Sequence, residues 1–221
     1  MHETAEVSGF PTAGRLLLAT RNPHKVREIG ELLTDLPVEL VSLEDLAVPP
    51  LPKEDDVEIF NSFEENALAK ARFYRIHTGM TVVADDSGLC VDALNGGPGV
   101  RSRRFAPNGE ESSGGQDQAN NDYLLDQMAD LPDEQRGAHY RCALALVGGE
   151  RTILVSGRVD GRITREPAGG GGFGYDPLFL VPAHGRTFGE LPPEVKASMS
   201  HRAEAIRSFR RWLYPIHKQE D

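Results

Sequence analysis

Apolar positions along this chain follow two periods. The stretch Arg15-Leu16-Leu17-Leu18-Ala19-Thr20, residues 38–43 and Val82-Val83-Ala84 are short apolar runs of the kind that form buried strands. Between the first two, Val26, Ile29, Leu32 and Leu33 recur on one helical stripe. A helix beginning near Lys25 therefore joins two parallel strands in a βαβ unit with a right-handed crossover. A Pro-rich acidic loop, 48–58, comes next. Ser62-Phe63-Glu64-Glu65 then opens a second helix as an S-x-x-E capping box, and Gly79 closes it. Residues 116–131 form an amphipathic helix with Tyr123, Leu124, Met128 and Leu131 on its apolar stripe. Residues 140–147 and 152–159 pair as a hairpin across Gly148-Gly149, residues 177–181 are a last strand, and a helix capped by Ser200 runs from about His201 to Leu213. Parallel βαβ and antiparallel hairpin together predict an α/β fold with a mixed central sheet. Residues 15–214 make a single catalytic domain between a loose tail, 1–14, and a polar tail, 215–221.

Charge narrows the function. A formal net charge of −10 over 221 residues argues against a nucleic-acid or anionic-membrane binder. Small anionic ligands stay open, because a local group of Lys, Arg and backbone N–H groups holds phosphate even on an acidic protein. No apolar run approaches the ~20 residues of a membrane span. Cys90 and Cys142 stand apart, without metal-ligand spacing, and read as core thiols in a reducing cytosol.

Candidate chemistry gathers at a few places. Val82-Val83-Ala84 runs into Asp85-Asp86-Ser87-Gly88, so the predicted strand ends in adjacent carboxylates, which invite a divalent cation or a shared proton. The same four residues also suit an Asx-type turn. Thr20-Arg21-Asn22-Pro23-His24-Lys25 follows a strand and opens a helix, whose N-terminus and lysine suit a phosphate; a plain βα turn is the structural alternative. Glu65 has a structural role in its capping box, and its neighbours Asn66 and Lys70 share a helix face. Gly169, Gly171 and Gly174 satisfy G-x-G-x-x-G, but a strand follows instead of a helix, so the dinucleotide reading fails. A better reading is a flexible loop presenting Phe173 as a stacking platform and Asp176 as a hydrogen-bonding group. Ser200-His201-Arg202 puts cations on the first turn of a helix, where they oppose its dipole unless an acceptor lies near. Arg101, Arg103 and Arg104 fit either a phosphate patch or a solvated loop face.

Five of these stretches, in order, resemble the inosine triphosphate pyrophosphatase family. They are Leu17–Lys25, Phe63–Arg72, Ala84–Leu89, Gly171–Pro177 and Ser200–Arg202, spread over most of the chain. Arg21 departs from the pattern, standing where a small residue is usual. The resemblance implies an elongated two-lobed α/β fold with the active-site cleft between lobes, a cytoplasmic homodimer, and Mg²⁺-dependent cleavage of ITP, dITP or XTP to monophosphate and pyrophosphate. It assigns Asp86 as general base and metal-site group, with Asp85 and Glu65 as further metal-site carboxylates. Thr20, Asn22, Lys25, Lys70 and Ser87 would hold the triphosphate, and Phe173, Asp176, Lys196, His201 and Arg202 would recognise the base. Arg21, Pro23, His24, Gly174 and Tyr175 would be further substrate-binding positions. A nucleotide-binding regulator fits less well, since a pure phosphate binder gains nothing from carboxylates beside its ligand. A Ser/His hydrolase using Ser87 lacks a G-x-S-x-G elbow.

Overall fold

In the computed structural model, which describes residues 14–34, 38–107, 114–149 and 151–213, the apolar runs assemble into one seven-stranded mixed sheet. The expected tails, 1–14 and 215–221, lie outside the described residues apart from Gly14. Strand β1 (Arg15–Leu18) leads through α1 (Pro23–Leu33) to β2 (Glu39–Ser42), and the two strands are parallel. Helix α2 (Phe63–Thr78) precedes β3 (Thr81–Val91), and α3 (Gly115–Gln127) precedes the antiparallel pair β4 (Gly137–Gly148) and β5 (Arg151–Ile163). Short strands β6 (Phe179–Val181) and β7 (Arg186–Thr187) follow, then α4 (Pro193–Met199) and α5 (His201–Leu213). Sheet order is β2-β1-β3-β4-β5-β6-β7.

Side-chain alternation along β3 decides which helix covers which face. Val82 and Ala84 join Leu17, Ala19 and Val41 beneath Phe63, Ala67 and Tyr74 of α2. Val83 joins Leu16 and Leu18 on the opposite face, beneath Ile29 of α1 and Ile206 and Phe209 of α5. A third cluster, around Leu89, Leu124, Phe179 and Phe188, forms the core of the other lobe.

One expectation needs correction. The strand does not end at the acid pair, and residues 86–88 form no Asx turn; β3 continues to Val91. The cause is β4, which pairs with β3 antiparallel from Val82 to Val91 and supplies hydrogen-bond partners throughout. It is β1 that stops, after pairing with β3 only as far as Val83. The crevice therefore opens beyond the carboxyl end of β1, with the acids on the strand beside it. Capping residues behave as read: Ser62 Oγ accepts from Glu65 N–H at 3.2 Å, and Gly79 closes α2 at φ +69°. Strand β7 and helix α4 are absent from the sequence reading because each is too short to display a period.

Helix α5 lies against β5 where a glycine removes the obstacle. A Cβ on Gly157 would stand 2.2 Å from the carbonyl oxygen of His201 and 2.3 Å from the amide nitrogen of Ala205, both backbone atoms. Gly157→Ala must push the start of α5 outward, taking His201 and Arg202 with it. It is expected to cost about 1–3 kcal/mol in urea unfolding. Gly30→Ala in α1, where a Cβ meets nothing within 4 Å, should instead stabilise by about 0.5–1 kcal/mol. Equal midpoints for the two variants would remove the close-approach argument.

Candidate active site

Successive positions on a strand face opposite ways, and that separates the two acids. Asp85 continues the Val83 face, is fully buried, and meets Lys25 Nζ at 3.1 Å and Arg202 Nε at 3.5 Å. Ser87 Oγ donates to its Oδ2 at 2.9 Å. Asp86 continues the Val82 face, lines the cleft, and accepts from Asn66 Nδ2 at 3.0 Å and from Ser87 N–H at 3.0 Å. Burial alone would raise both carboxyls. For Asp85, Lys25 and Arg202 outweigh burial and hold it well below the usual range. For Asp86, burial wins over Lys25 and Lys70, Glu58 adds like charge, and the carboxyl is pushed up to about 6. Neighbouring carboxyls driven apart in this way are suited to different tasks.

The cleft holds about 420 Å³, within the range of small-ligand sites. Most expected site residues line it, but Pro23, His24, Glu65 and Asp85 do not. Pro23 is the first residue of α1, and Asn22 caps that helix by accepting from His24 N–H at 2.9 Å and Lys25 N–H at 3.3 Å. His24 stacks on Phe173 with ring centroids 4.9 Å apart. Arg21 reaches away from α1 to the acidic loop, donating to both Glu54 oxygens at 2.5 and 2.9 Å and to the carbonyls of Val48 and Pro49 at 3.1 and 2.7 Å. Glu65 is exposed and accepts from the Ser62 hydroxyl at 2.7 Å, a side-chain contact beside the N-cap bond that its own N–H makes. Glu58, at the end of the acidic loop, lines the cleft and pairs with Lys70.

Around the glycine loop, a buried charge network forms. Lys196 Nζ lies 2.5 Å from Asp176 and 2.8 Å from Glu28, and Arg202 Nη1 donates to the other Glu28 oxygen at 2.8 Å. Burial raises the Glu28 carboxyl, but Arg202 and Lys196 more than offset it, so its pKa is lowered. Arg202 Nη2 also donates to Ser87 Oγ at 2.8 Å, which ties this network to the acid pair. These acceptors satisfy the cations at the start of α5. His201 is buried, stacks on Tyr140 at 4.8 Å, and burial then Arg202 keeps its imidazole neutral. Neither ring nitrogen has a partner among the described residues. Tyr175, expected as a substrate-binding position, lines the cleft, is 3% exposed and donates its hydroxyl to the Ser102 carbonyl at 2.8 Å.

Glu28, Glu58 and Tyr140 were missed from the sequence. Glu28 lies one helical turn after Lys25, and that i, i+3 spacing was its available signal. Tyr140 and Glu58 carried none, because the register of β4 and the path of the acidic loop bring them into the cleft.

The two acids have opposite consequences for stability. A carboxyl held below its unfolded value stabilises above that value, so Asp85 supports the fold at neutral pH. Asp85→Asn leaves Lys25 and Arg202 short of a buried anion and is expected to cost about 3–5 kcal/mol. Asp86, raised to about 6, stabilises only below its unfolded value of about 3.9 and loses that contribution as pH rises through its folded value. Asp86→Asn should therefore match or exceed wild-type melting temperature at pH 7. The wild type should lose stability relative to that variant between about pH 4 and 6. Melting curves of both variants against pH check this, and a stable Asp85→Asn would contradict it.

Known proteins give the same outline. The family model for the Ham1 family matches residues 16–212. A dITP/XTP pyrophosphatase from Geobacter sulfurreducens is 48% identical over 194 residues, 87% of this chain and 92% of the relative. The protein of that name from Escherichia coli K12 is 44% identical over 196 residues, 87% of this chain and 94% of the relative. Among solved structures, a HAM1 protein from Coxiella burnetii superposes with a TM-score of 0.77 at 36% identity, covering 90% of this chain and 98% of that one. A nucleoside-triphosphatase / dITP/XTP pyrophosphatase from Mycobacterium abscessus gives a TM-score of 0.67 at 48% identity, covering 88% and 98%. The match spans both lobes and the cleft between them, and the chain belongs to the Ham1 family.

Proposed function

We propose that this chain hydrolyses deaminated purine nucleoside triphosphates (ITP, dITP and XTP) to the monophosphate and pyrophosphate, acting in the cytoplasm as a homodimer. The observation that carries the reading is Asp86: a cleft-lining carboxyl with a pKa of about 6, between two lysines and beside a carboxylate held at the opposite extreme. Relatives of similar length named for this activity support the substrate class. Among the described residues, no helix is long and apolar enough to cross a membrane.

Asp86 is the general base. It takes a proton from water as that oxygen bonds the α-phosphorus, the bond from the α-phosphorus to the bridging oxygen breaks, and pyrophosphate leaves. Lys25 and Lys70 supply positive charge beside the transferring group. Asp86 and Glu58 bring two hard carboxylate oxygen donors to the cleft wall, the donor chemistry that suits Mg²⁺. Bound there with substrate phosphates, the ion would neutralise developing charge. Asp85 is committed to Lys25 and Arg202, and Glu65 to its cap, so neither is assigned to the ion. At the base, the Phe173 ring gives a stacking face. Arg202, Lys196 and the single N–H of the neutral His201 ring, whose nitrogens have no partner among the described residues, supply donors for the C6 oxygen that distinguishes inosine and xanthosine from adenosine.

Pyrophosphate release from ITP, XTP and ATP, with and without Mg²⁺, tests the assignment. A ratio of kcat/KM for ITP over ATP on the order of 10²–10⁴ is expected; equal rates would end the assignment to deaminated purines. A bound cation favours the ionised carboxylate, so the acid limb of kcat/KM measured with Mg²⁺ should lie below the metal-free Asp86 midpoint of about 6, and Asp86→Asn should lose at least ~10²-fold in turnover. Sedimentation measures the expected dimer directly.

A further inference from the structure

The cations lining the cleft are mostly spoken for. Arg21 is paired with Glu54, Lys25 with Asp85, Lys70 with Glu58, and Lys196 and Arg202 share Glu28. Arg101, Arg103 and Arg104 line the same cleft, are exposed, and make no ion pair or side-chain hydrogen bond among the described residues. They stand together on one 3₁₀ segment, Gly99–Arg104.

That segment is held rigidly. Asn120, 2% exposed, accepts from the backbone N–H of Phe105 and Ala106 at 3.1 and 2.8 Å and donates to the carbonyls of Ser102 and Arg103 at 3.2 and 3.1 Å. Ser102 Oγ accepts from Leu89 N–H at 2.9 Å, fixing the segment to β3, and the Tyr175 hydroxyl reaches the Ser102 carbonyl from the glycine loop. Buried polar groups thus fix the backbone while the guanidiniums it carries stay free. A solvated surface loop has no need of such anchoring, and the ordering cost of an arginine is smaller when its backbone is already placed.

We propose that Arg101, Arg103 and Arg104 form an anion-capturing rim that engages the polyphosphate of the incoming substrate. The inference rests on the triphosphate reading above and adds the residues that select for phosphate number. Guanidinium groups bind phosphate oxygens in bidentate geometry, and unlike the paired lysines they need surrender no carboxylate to do so. On a chain of net charge −10, a polyanion is repelled at long range. A local group of unpaired cations at the cleft is what converts encounter into capture. Orthophosphate and monophosphates, with fewer charges, gain less from the rim, so it favours triphosphate over the monophosphate product.

The test compares the triple variant R101Q/R103Q/R104Q with wild type and with R158Q/R165Q/R186Q. The second set removes equal charge from exposed positions outside the cleft. Two readouts are taken: steady-state kinetics on ITP across ionic strength, and calorimetric binding of inorganic triphosphate and of orthophosphate. The rim variant should raise KM for ITP and Kd for inorganic triphosphate by about tenfold or more, with kcat changed less than about twofold. It should also flatten the salt dependence of kcat/KM, while orthophosphate binding changes less than triphosphate binding. Identical KM, Kd and salt slopes in the rim variant and the charge-matched control would overturn the proposal. The binding arm separates this inference from the one beneath it. If wild type fails to hydrolyse ITP yet loses triphosphate affinity with the rim, the function reading falls and the rim stands. If hydrolysis is normal and the rim variant binds normally, the rim falls and the function stands.

Discussion

A buried anion organises this molecule. Asp85 is fully inside, on a strand, and its carboxylate is tolerable there only because Lys25 from α1 and Arg202 from α5 come to it. Those two helices cover one face of the sheet, so the ion pairs fix the start of each relative to β3. With the starts of α1 and α5 fixed, the residues they carry are fixed as well: Asn22 and Lys25 on one side, His201 and Arg202 on the other. Strand geometry then turns the next residue, Asp86, to the opposite face, where α2 provides Asn66 and Lys70 and the acidic loop provides Glu58. One carboxylate stays ionised to hold the frame while its neighbour holds a proton well into the weakly acidic range. A single residue step along β3 separates structure from chemistry.

The same network ties the glycine loop to the acid pair. Glu28 bridges Lys196, which also pairs with Asp176, to Arg202, which also reaches Ser87 beside the acids. Groups on α1, α4, α5, the glycine loop and β3 therefore share partners and cannot shift independently. Such preorganisation leaves little reorganisation for the reaction itself, and it is a source of transition-state stabilisation in a site partly closed to water. Its cost is carried by the rest of the fold, which must bury polar groups that the network matches only in part, leaving Asp85 Oδ1 and both His201 ring nitrogens without a hydrogen bond among the described residues. Close approach of α5 over Gly157 is part of that cost, because only a residue without a Cβ lets the helix N-terminus come near enough.

Much of the fold was legible in the sequence. The period of the first βαβ unit, the capping box at Ser62 and the Gly148-Gly149 turn are local signals, and local signals survive into the structure because each depends on neighbours in the chain. Placement of the acid pair was less legible. Val82-Val83-Ala84 meeting Asp85 looked like a strand end, since what carries β3 onward is pairing with β4, more than fifty residues later. The direction of each acid is also nonlocal: alternation says they diverge, but only the packed helices say which side is ionic. Glu28 and Glu58 were hidden for a similar reason, as their roles come from partners in α4, α5 and α2. Tyr175 lines the cleft as a motif residue, but the hydrogen bond from its hydroxyl to the Ser102 carbonyl depends on a segment more than seventy residues earlier and left no local signal.

The division of labour between Asp85 and Asp86 is the claim on which the rest stands, and it can be observed without substrate or metal. Carboxyl-carbon NMR of aspartate-labelled protein, titrated from pH 8 downward and assigned with Asp85→Glu and Asp86→Asn, reads each group separately. One resonance, assigned to Asp86, should titrate with a midpoint of about 6. The Asp85 resonance should stay in its ionised position until the protein unfolds in acid. Two carboxyls titrating together, or an Asp85 that takes up the proton near neutral pH while Asp86 remains ionised, would contradict the account.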